Sequence, residues 1–264
     1  NDGYGLNTKI VKDIYGKGIK LLITVDNGIS AREPLILANE LGIEVILTDH
    51  HKKTLEIPKV LALIHPLTTP DESPYKSLAG VGLAYILANT LSIKLKSKNA
   101  SLVASDLLCI GTVADMASLE GANRYWLING LESLHKTNCK GLSALAILSG
   151  LKDCKITSID IGFKIAPKIN AVGRIGDPKD IIDLLTEESE EKALEMALNC
   201  EKLNTRRKYM CKQIESEAVA IIESEQQYKH PFITIAQNHW HKGVIGIVAS
   251  RLVEKYNRPT ALMA

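Results

Sequence analysis

The 264 residues are 45% hydrophobic and 23% charged, with a formal net charge of +2. This is the composition of an ordinary folded domain, so it excludes disorder as the main state. The near balance of charge excludes a surface that is basic overall, and any nucleic-acid contact must come from a local basic patch. Aromatic residues make up 5% of the chain, which excludes a binding channel lined with stacked rings.

Five cysteines are present, but no two of them have the spacing of metal ligands. A disulfide framework and a thiolate zinc site are therefore excluded, and a reducing cytoplasm is favoured. No apolar run has the length of a membrane span, and the 264 residues contain no signal-peptide pattern. Because the sequence starts at Asn1 rather than at Met and stops just after an apolar run, we expect both ends to be cuts.

The first third of the chain predicts a parallel sheet. Gly18–Val25 is a continuous β-rich apolar run, typical of a strand covered on both faces. A helical segment separates it from a second apolar run at Ile43–Leu47, so the two form a strand–helix–strand unit with parallel strands. Lys59–Pro66 is predicted to contain a third, short strand.

From Leu78 onward the pattern is mainly helical. Glu187–Gln227 has apolar residues at three- and four-residue spacing and no Pro or Gly, which predicts one long helix connecting two lobes. A strand (PFITIAQ), a helix (VIGIVASRLVEKY) and the start of another strand (TALMA) follow. The predicted fold class is α/β: a parallel-sheet lobe, a long connecting helix and the start of a second α/β lobe.

Polar residues follow both apolar strands of the first lobe. Asp26 comes directly after the first run, and Asp49, His50 and His51 come after the second. Neighbouring strands lie about 4.8 Å apart, and ligands bind beyond the carboxyl ends of parallel strands. Carboxylate and imidazole without thiolate suit Mn²⁺ or Mg²⁺. Taken singly, Asp26 could belong to a turn and Asp49 could cap a helix, but two such clusters together favour a metal site.

The ordered motifs of the chain resemble those of the DHH phosphoesterases. VDNG, TDHH and GTVADM look like the second, third and fourth motifs of that family. LAGVGLAY, NAVGR and WHKGVIGIVASRL look like segments of its RecJ branch, in the same order. The resemblance covers essentially the whole chain. It implies a DHH domain over residues 1–186, a connecting helix over 187–227 and part of a DHH-associated domain over 228–264.

The resemblance also implies roles for the polar cluster. Asp26 would bridge two metal ions, and His50 and Asp115 would ligate one of them. His51 would stand beside a metal-coordinated water or the scissile phosphate, and Asp49 would orient a histidine. From the residues alone, Asp115 would be interpreted as an exposed acid at a helix end.

A second set of residues is expected to bind phosphate. Arg174 and Asn170 belong to NAVGR, which we predict to be a glycine-containing loop where the arginine can contact a phosphate or nucleic acid. The alternative is a surface loop with an unpaired arginine. His241, Lys242 and Gly243 are expected at a helix start that can hold an anion. The basic run at 204–212 is interpreted mainly as a solvated helix face, although it could also line a nucleic-acid channel.

The function implied by the resemblance is stepwise hydrolysis of single-stranded DNA from the 5′ end in repair and recombination. Expected partners are single-stranded DNA and other repair proteins, without a membrane. Two alternatives remain open: a DHH phosphatase on short oligonucleotides or nucleotides, and a non-catalytic scaffold for repair or replication. The family's first motif and a glycine-serine-arginine segment expected after RPTALMA are absent from residues 1–264, so this stretch alone is expected to be inactive.

Overall fold

The computed structural model describes residues 5–52, 56–96 and 101–264. In chain order the helices are α1 (Thr8–Gly16), α2 (Arg32–Glu40), α3 (Gly80–Lys94), α4 (Ser101–Ala114), α5 (Gly121–Ser133), α6 (Lys140–Leu148), α7 (Ser158–Asp160), α8 (Ala166–Ile175), α9 (Lys179–Thr186), α10 (Glu190–Ser224) and α11 (Lys242–Tyr256). The strands are β1 (Leu21–Val25), β2 (Glu44–Thr48), β3 (Ala62–Ile64), β4 (Ile233–Ala236) and β5 (Thr260–Met263). Short 3-10 helices occupy Pro66–Thr68, Leu134–Lys136 and Gln227–Lys229, and a π-helical turn occupies Ile161–Ile165.

The chain divides into two compact units. Unit 1 comprises the residues up to Asn138 together with Lys155–Ile161, and unit 2 comprises Cys139–Cys154 and Gly162–Ala264. The division expected from sequence, at residues 186 and 227, remains a prediction. No helix in the described part of the chain is long and apolar enough to cross a membrane.

Unit 1 contains the predicted parallel sheet, with strand order β1-β2-β3 and every pair parallel. Its core forms where β2 and α2 pack together, because the apolar side chains of both elements face inward. The buried members are Val11, Ile29, Leu35, Ala38, Ile43, Val45 and Leu47.

The expectation that the first strand is covered on both faces is wrong. Leu21, Ile23 and Val25 alternate along β1 and are 46%, 47% and 51% exposed. Successive side chains of a strand point to opposite faces, and nothing among the described residues covers this face of β1. An apolar run alone therefore did not distinguish a strand with two covered faces from one with a single covered face.

Unit 2 contains the long predicted helix and a second parallel pair, β4 and β5. Helix α10 spans 35 residues, and the Ser189 side chain caps its start by accepting a hydrogen bond from the Lys192 backbone N–H. It packs against α6, α8, α9 and α11 of the same unit. The core of this unit joins the end of α10 to the sheet and α11, through Cys211, Ile214, Ala218, Ile222, Ile233, Ile235, Trp240, Val244, Val248 and Leu252.

The NAVGR segment is helical, so the predicted loop is wrong. Residues Ala166–Ile175 form α8, and Ala171 and Val172 are fully buried on its inner side. Two buried apolar neighbours stabilise the helix despite Gly173, which lies at an exposed position near its end. Asn170 and Arg174, spaced by one helical turn, share its exposed face.

Candidate metal centre

The candidate site lies in unit 1, where β1 and β2 end side by side. Val25 is in register with Thr48 across the parallel pair, so the residues that follow them lie at the same edge of the sheet. The Asp26 N–H still donates to the Thr48 carbonyl at 3.1 Å. Asp26 and Asp49 are therefore the first residues after two neighbouring strand ends and lie at the same edge of the sheet, as the sequence predicted.

Asp26 has an unusual backbone conformation, and the absence of a Cβ at Gly80 leaves space for its side chain. Its φ is 61°, a left-handed value that is uncommon for a residue with a Cβ and is often found at functional sites. A Cβ atom added to Gly80 would lie 2.4 Å from Asp26 Oδ1. The start of α3 must therefore be glycine for the carboxylate to occupy this position.

His50 and Asp26 face each other without forming a hydrogen bond. His50 Nε2 lies 2.9 Å from Asp26 Oδ1, yet both atoms are buried and neither has a hydrogen-bond partner. Asp115 Oδ2 lies 3.8 Å from the same His50 nitrogen. His50 Nε2 and Asp26 Oδ1 lie at ion-pair distance but lack the geometry of a hydrogen bond. Buried polar atoms are nearly always hydrogen-bonded, so an imidazole nitrogen and carboxylate oxygens that converge in this way fit a cation that they could ligate.

Asp115 reaches this point from the end of α4. Its backbone N–H donates to the Gly111 carbonyl at 2.9 Å, and the next residue, Met116, has a φ of 54°. The chain therefore turns sharply here, as at many helix ends. Asp115 therefore lies at a helix end and also close to His50, as the resemblance implied.

Asp49 has a different environment from Asp26. Its carboxylate is fully buried, and it accepts hydrogen bonds from the backbone N–H groups of Ile29 at 2.8 Å, His50 at 2.7 Å and His51 at 3.1 Å. Burial alone would raise its pKa, but these hydrogen bonds, together with one from the His51 ring, hold the pKa of Asp49 below its usual value.

The hydrogen bond that His51 donates to Asp49 fixes the orientation of the His51 ring. His51 Nδ1 lies 2.7 Å from Asp49 Oδ1, and an ionised carboxylate can only accept, so Nδ1 carries the proton. The hydrogen bond to Asp49 raises the pKa of His51. Nε2 of the exposed His51 side chain is then the nitrogen without this hydrogen bond, and ligand atoms of His51, His50 and Asp26 all lie within 4.8 Å of one another.

The electrostatics of Asp26 also distinguish it from a surface acid. Burial raises the pKa of Asp26; His50 opposes this rise and Asp115 adds to it. Two carboxylates close together disfavour each other's ionisation. A bound cation would relieve that repulsion, which further supports the fit of a divalent metal to these side chains.

Sequence reasoning missed three residues beside this cluster. A cavity of about 510 Å³ is lined by His50 and His51 together with Lys52, His65 and Lys76. His65 is 3% exposed; its Nδ1 accepts from the Leu67 N–H at 3.0 Å and its Nε2 donates to the His51 carbonyl at 2.9 Å. No local motif surrounds His65 in the sequence, and only the fold brings it to His51.

The predicted phosphate-binding residues lie in unit 2 and are also brought together. Arg174 Nη1 lies 3.5 Å from the Gly243 carbonyl, and a Cβ on Gly243 would lie 2.0 Å from the Arg174 carbonyl oxygen. His241 caps α11 by accepting the Gly243 N–H at 3.0 Å, and Lys242 is exposed in the first turn. Asn170 is one helical turn before Arg174.

Comparison with known proteins shows similarity to one family. Residues 4–112 match the family described as "DHH family, N-terminal domain". The chain is 39% identical over 262 residues to the single-stranded-DNA-specific exonuclease RecJ of Bacillus subtilis, a match that covers 99% of this chain and 33% of that protein.

Two solved structures extend the similarity to three dimensions. Exonuclease RecJ bound to manganese has a TM-score of 0.88 at 31% identity, covering 100% of this chain and 66% of that one. RecJ of Thermus thermophilus in complex with Mg²⁺ has a TM-score of 0.68 at 25% identity, covering 97% and 42%.

The chain spans between a third and a half of the length of the first curated relatives that it matches. The same fold and the ordered motifs extend along all of it. The chain belongs to the DHH family, and over its whole length it is similar to the RecJ exonucleases.

Proposed function

We propose that the protein is a metal-dependent phosphodiesterase that removes nucleotides from the 5′ end of single-stranded DNA, using Mn²⁺ or Mg²⁺. The observation that carries this proposal is the convergence of two carboxylates on His50: Nε2 lies 2.9 Å from Asp26 Oδ1, without hydrogen-bond geometry, and 3.8 Å from Asp115 Oδ2. The names of the similar RecJ proteins support the substrate, and two RecJ structures contain Mn²⁺ or Mg²⁺.

Each residue of the cluster has a proposed part. Asp26, His50 and Asp115 would hold the metal ions. When bound, such ions neutralise the charge of the phosphodiester and lower the pKa of water. Asp49 holds His51 through Nδ1, so that Nε2 of His51 can take or return a proton beside the reacting phosphate. Lys52 and Lys76 line the adjacent cavity, where Lys52 would attract the strand; Lys76 is ion-paired with Asp71 at 3.1 Å.

Unit 2 would hold the strand by its phosphate groups. Arg174 offers a planar fork of donors on the exposed face of α8, and Asn170 lies on the same face. His241, Lys242 and Gly243 stand at the start of α11, where the helix dipole favours an anion. We infer single-stranded DNA as the partner, repair and recombination as the process and the cytoplasm as the location, with other repair proteins as further partners.

The test uses the protein produced from its complete gene. A single-stranded oligonucleotide and the matching duplex are each labelled at the 3′ end and incubated with Mn²⁺, with Mg²⁺ or with a chelator. We expect shortening of the single strand from the 5′ end, no attack on the duplex and complete inhibition by the chelator.

Asp26→Asn should reduce the rate by roughly 100-fold, because the asparagine removes the negative ligand with little change in size. Asp13→Asn, at an exposed position of α1, is the matched control and should retain the rate. Metal-dependent cleavage of short oligonucleotides alone would favour the phosphatase alternative. Strand binding without any cleavage would favour the scaffold alternative.

A further inference from the structure

The start of helix α5 joins two segments of unit 1 that lead to the candidate metal centre. The first segment, residues 74–80, ends at the glycine whose missing Cβ leaves space for Asp26. The second segment, residues 115–118, begins with Asp115 directly after α4. Asp26 and Asp115 are the two carboxylates that converge on His50 Nε2, at 2.9 and 3.8 Å. The placement of both carboxylates therefore depends on how these two segments are held.

Asn123 connects the two segments through a single amide group. It lies in the first turn of α5 and is 1% exposed. Its Nδ2 donates to the Ser77 carbonyl at 2.6 Å and to the Ser118 carbonyl at 3.0 Å. An amide nitrogen carries two N–H donors, so both are used and each binds a different segment. Ser77 is three residues before the glycine beside Asp26, and Ser118 is three residues after Asp115.

Further contacts hold the first segment against the start of α5. The Ala122 N–H donates to the Pro74 carbonyl at 2.9 Å, and the Leu78 side chain packs with Ala122 in a small buried cluster. A Cβ on Gly121 would lie 2.4 Å from the same Pro74 oxygen, so the two backbones are in close contact. The segment before α3 therefore follows the position of α5, and the Asn123 amide extends this connection to the turn after α4.

The oxygen of the same amide shows which part of Asn123 stabilises the structure. Its Oδ1 is buried and has no hydrogen-bond partner within the described residues. An unpaired buried acceptor opposes folding, so the stabilising contribution of the side chain comes from Nδ2. Both neighbours of Nδ2 are carbonyl oxygens, which only a donor can bind. The position therefore requires a side chain with two donors on one atom.

The turn that carries Asp115 has a strained backbone and depends on such support. Met116 has a φ of 54°, an uncommon value for a residue with a Cβ, and its side chain is 90% exposed. Burial of that side chain therefore does not stabilise the turn. The Ala117 N–H donates to the Thr112 carbonyl at 3.2 Å and closes the turn on the α4 side. Asn123 binds its other end, so the direction of the Asp115 side chain is fixed from both sides.

We propose that Asn123 is a positioning residue of the metal centre, because its two donated hydrogen bonds set the placement of Asp26 and Asp115 around His50. The existence of the metal centre rests on the proposed function. The role of Asn123 rests on the buried amide, on its two distances and on the strained turn. Without the two donors, both segments lose a common support, and the carboxylates no longer converge on one imidazole nitrogen.

The experiment compares Asn123→Leu with Leu127→Ala in the protein made from its complete gene. Leucine is close to asparagine in size and has no donor. Leu127 is 5% exposed and one turn further along α5, so its truncation destabilises the same helix without removing either hydrogen bond. Titration calorimetry measures the affinity for Mn²⁺ without substrate, and thermal unfolding measures the midpoint of the metal-free protein. Cleavage of a single-stranded oligonucleotide at saturating Mn²⁺ gives kcat and KM.

Asn123→Leu should lower the affinity for Mn²⁺ by about tenfold to a hundredfold, because the ligands lose their mutual placement. At saturating Mn²⁺ its kcat should fall, while the KM for the strand stays close to that of the unchanged protein. Leu127→Ala should lower the unfolding midpoint, because it leaves a cavity in the core. Its affinity for Mn²⁺ and its kcat should remain those of the unchanged protein.

A second variant, Asn123→Asp, provides the test if the leucine variant does not fold. A neutral carboxyl group has one donor and a carboxylate has none, so at least one segment is released in either form. By charge alone, an added carboxylate would raise the affinity for a cation. Loss of the donors lowers this affinity, so a weaker binding of Mn²⁺ by Asn123→Asp cannot result from the charge.

An unchanged affinity for Mn²⁺ in the Asn123 variants would overturn the proposal and leave the proposed function intact. A loss of affinity of the same size in Leu127→Ala would also overturn it, because any destabilisation of α5 would then have this effect. If binding of Mn²⁺ depends on Asn123 but the protein does not cleave single strands, the positioning role stands and the proposed function is refuted. An unchanged protein that binds no Mn²⁺ would refute both.

Discussion

Two clusters of carboxylate and histidine differ in whether their polar atoms are paired. In unit 1, Asp26 Oδ1 and His50 Nε2 face each other with no hydrogen bond. In unit 2, Glu217 Oε2 accepts from Trp240 Nε1 at 2.9 Å and lies 3.0 Å from His239 Nε2. The residue types are similar, but the second cluster is satisfied within the protein and the first is not.

This difference separates a structural cluster from a ligand site. A paired carboxylate stabilises the fold by positioning its donors, as Glu217 does for a tryptophan that is 4% exposed in the core. Unpaired buried atoms destabilise the fold, so they persist where a ligand completes them. A cavity of about 660 Å³ adjoins the Glu217 cluster, yet the pairing of its polar atoms argues against a metal site there.

The sharpest test of this contrast is His50→Gln. The glutamine lacks the imidazole nitrogen, and the affinity for Mn²⁺ should fall by about 10–100-fold. The free energy of unfolding without metal should not decrease, because the variant removes an unpaired buried atom. Titration calorimetry and chemical denaturation measure the two quantities, with the exposed His230→Gln as the control. Unchanged affinity together with reduced stability would make His50 a structural residue.

Trp240→Phe should have the opposite pattern. It removes the donor to Glu217 and part of a buried ring, so the free energy of unfolding should fall by about 1–2 kcal/mol. The affinity of unit 1 for Mn²⁺ should stay the same, since no atom of that cluster changes. Denaturant unfolding and calorimetry on one preparation check both statements. A loss of Mn²⁺ affinity as large as that of His50→Gln would contradict the distinction between a structural cluster at Glu217 and a metal site at His50.

Much of the metal cluster was predictable because its residues follow strand ends. The predicted runs 18–25 and 43–47 correspond to β1 and β2, and parallel pairing then places Asp26 beside the 49–51 segment. The remaining contributors come from distant parts of the chain. Gly80 gives Asp26 its space and His65 binds the His51 carbonyl, and neither contact has a local pattern that sequence spacing could reveal.

The errors have equally local causes. Gly173 suggested a loop at NAVGR, but burial of the apolar side chains next to it keeps α8 helical to Ile175. A basic run suggested a solvated face, but charge counts do not show which residues of a helix face inward. The 3.6-residue period of the buried residues, continued through the polar residues, places Asn204 and Arg207 on the buried face of α10.

The smallest predicted effect is a pH dependence of the paired cluster. The hydrogen bond from Trp240 Nε1, followed by that from His239, holds the pKa of Glu217 below its usual value. A carboxylate whose pKa is depressed by folding adds stability above its unfolded pKa of about 4.3, and this stability is lost as the pH falls through the folded value. The Glu217 side chain is 39% exposed, so solvent screening limits the effect to a few tenths of a kcal/mol.

Glu217→Gln isolates that charge, because the amide oxygen can still accept from Trp240 Nε1 while the group no longer titrates. Near neutral pH the variant should be less stable than the unchanged protein by roughly 0.3 kcal/mol. The difference should shrink to zero as the pH falls through and below the depressed folded pKa of Glu217, because both side chains are then neutral. Other acids, such as Asp49, titrate in both proteins and cancel in the comparison of denaturation curves. A difference that stays constant over this range would mean that the glutamine disturbs packing, and that the charge on Glu217 adds nothing to the cluster.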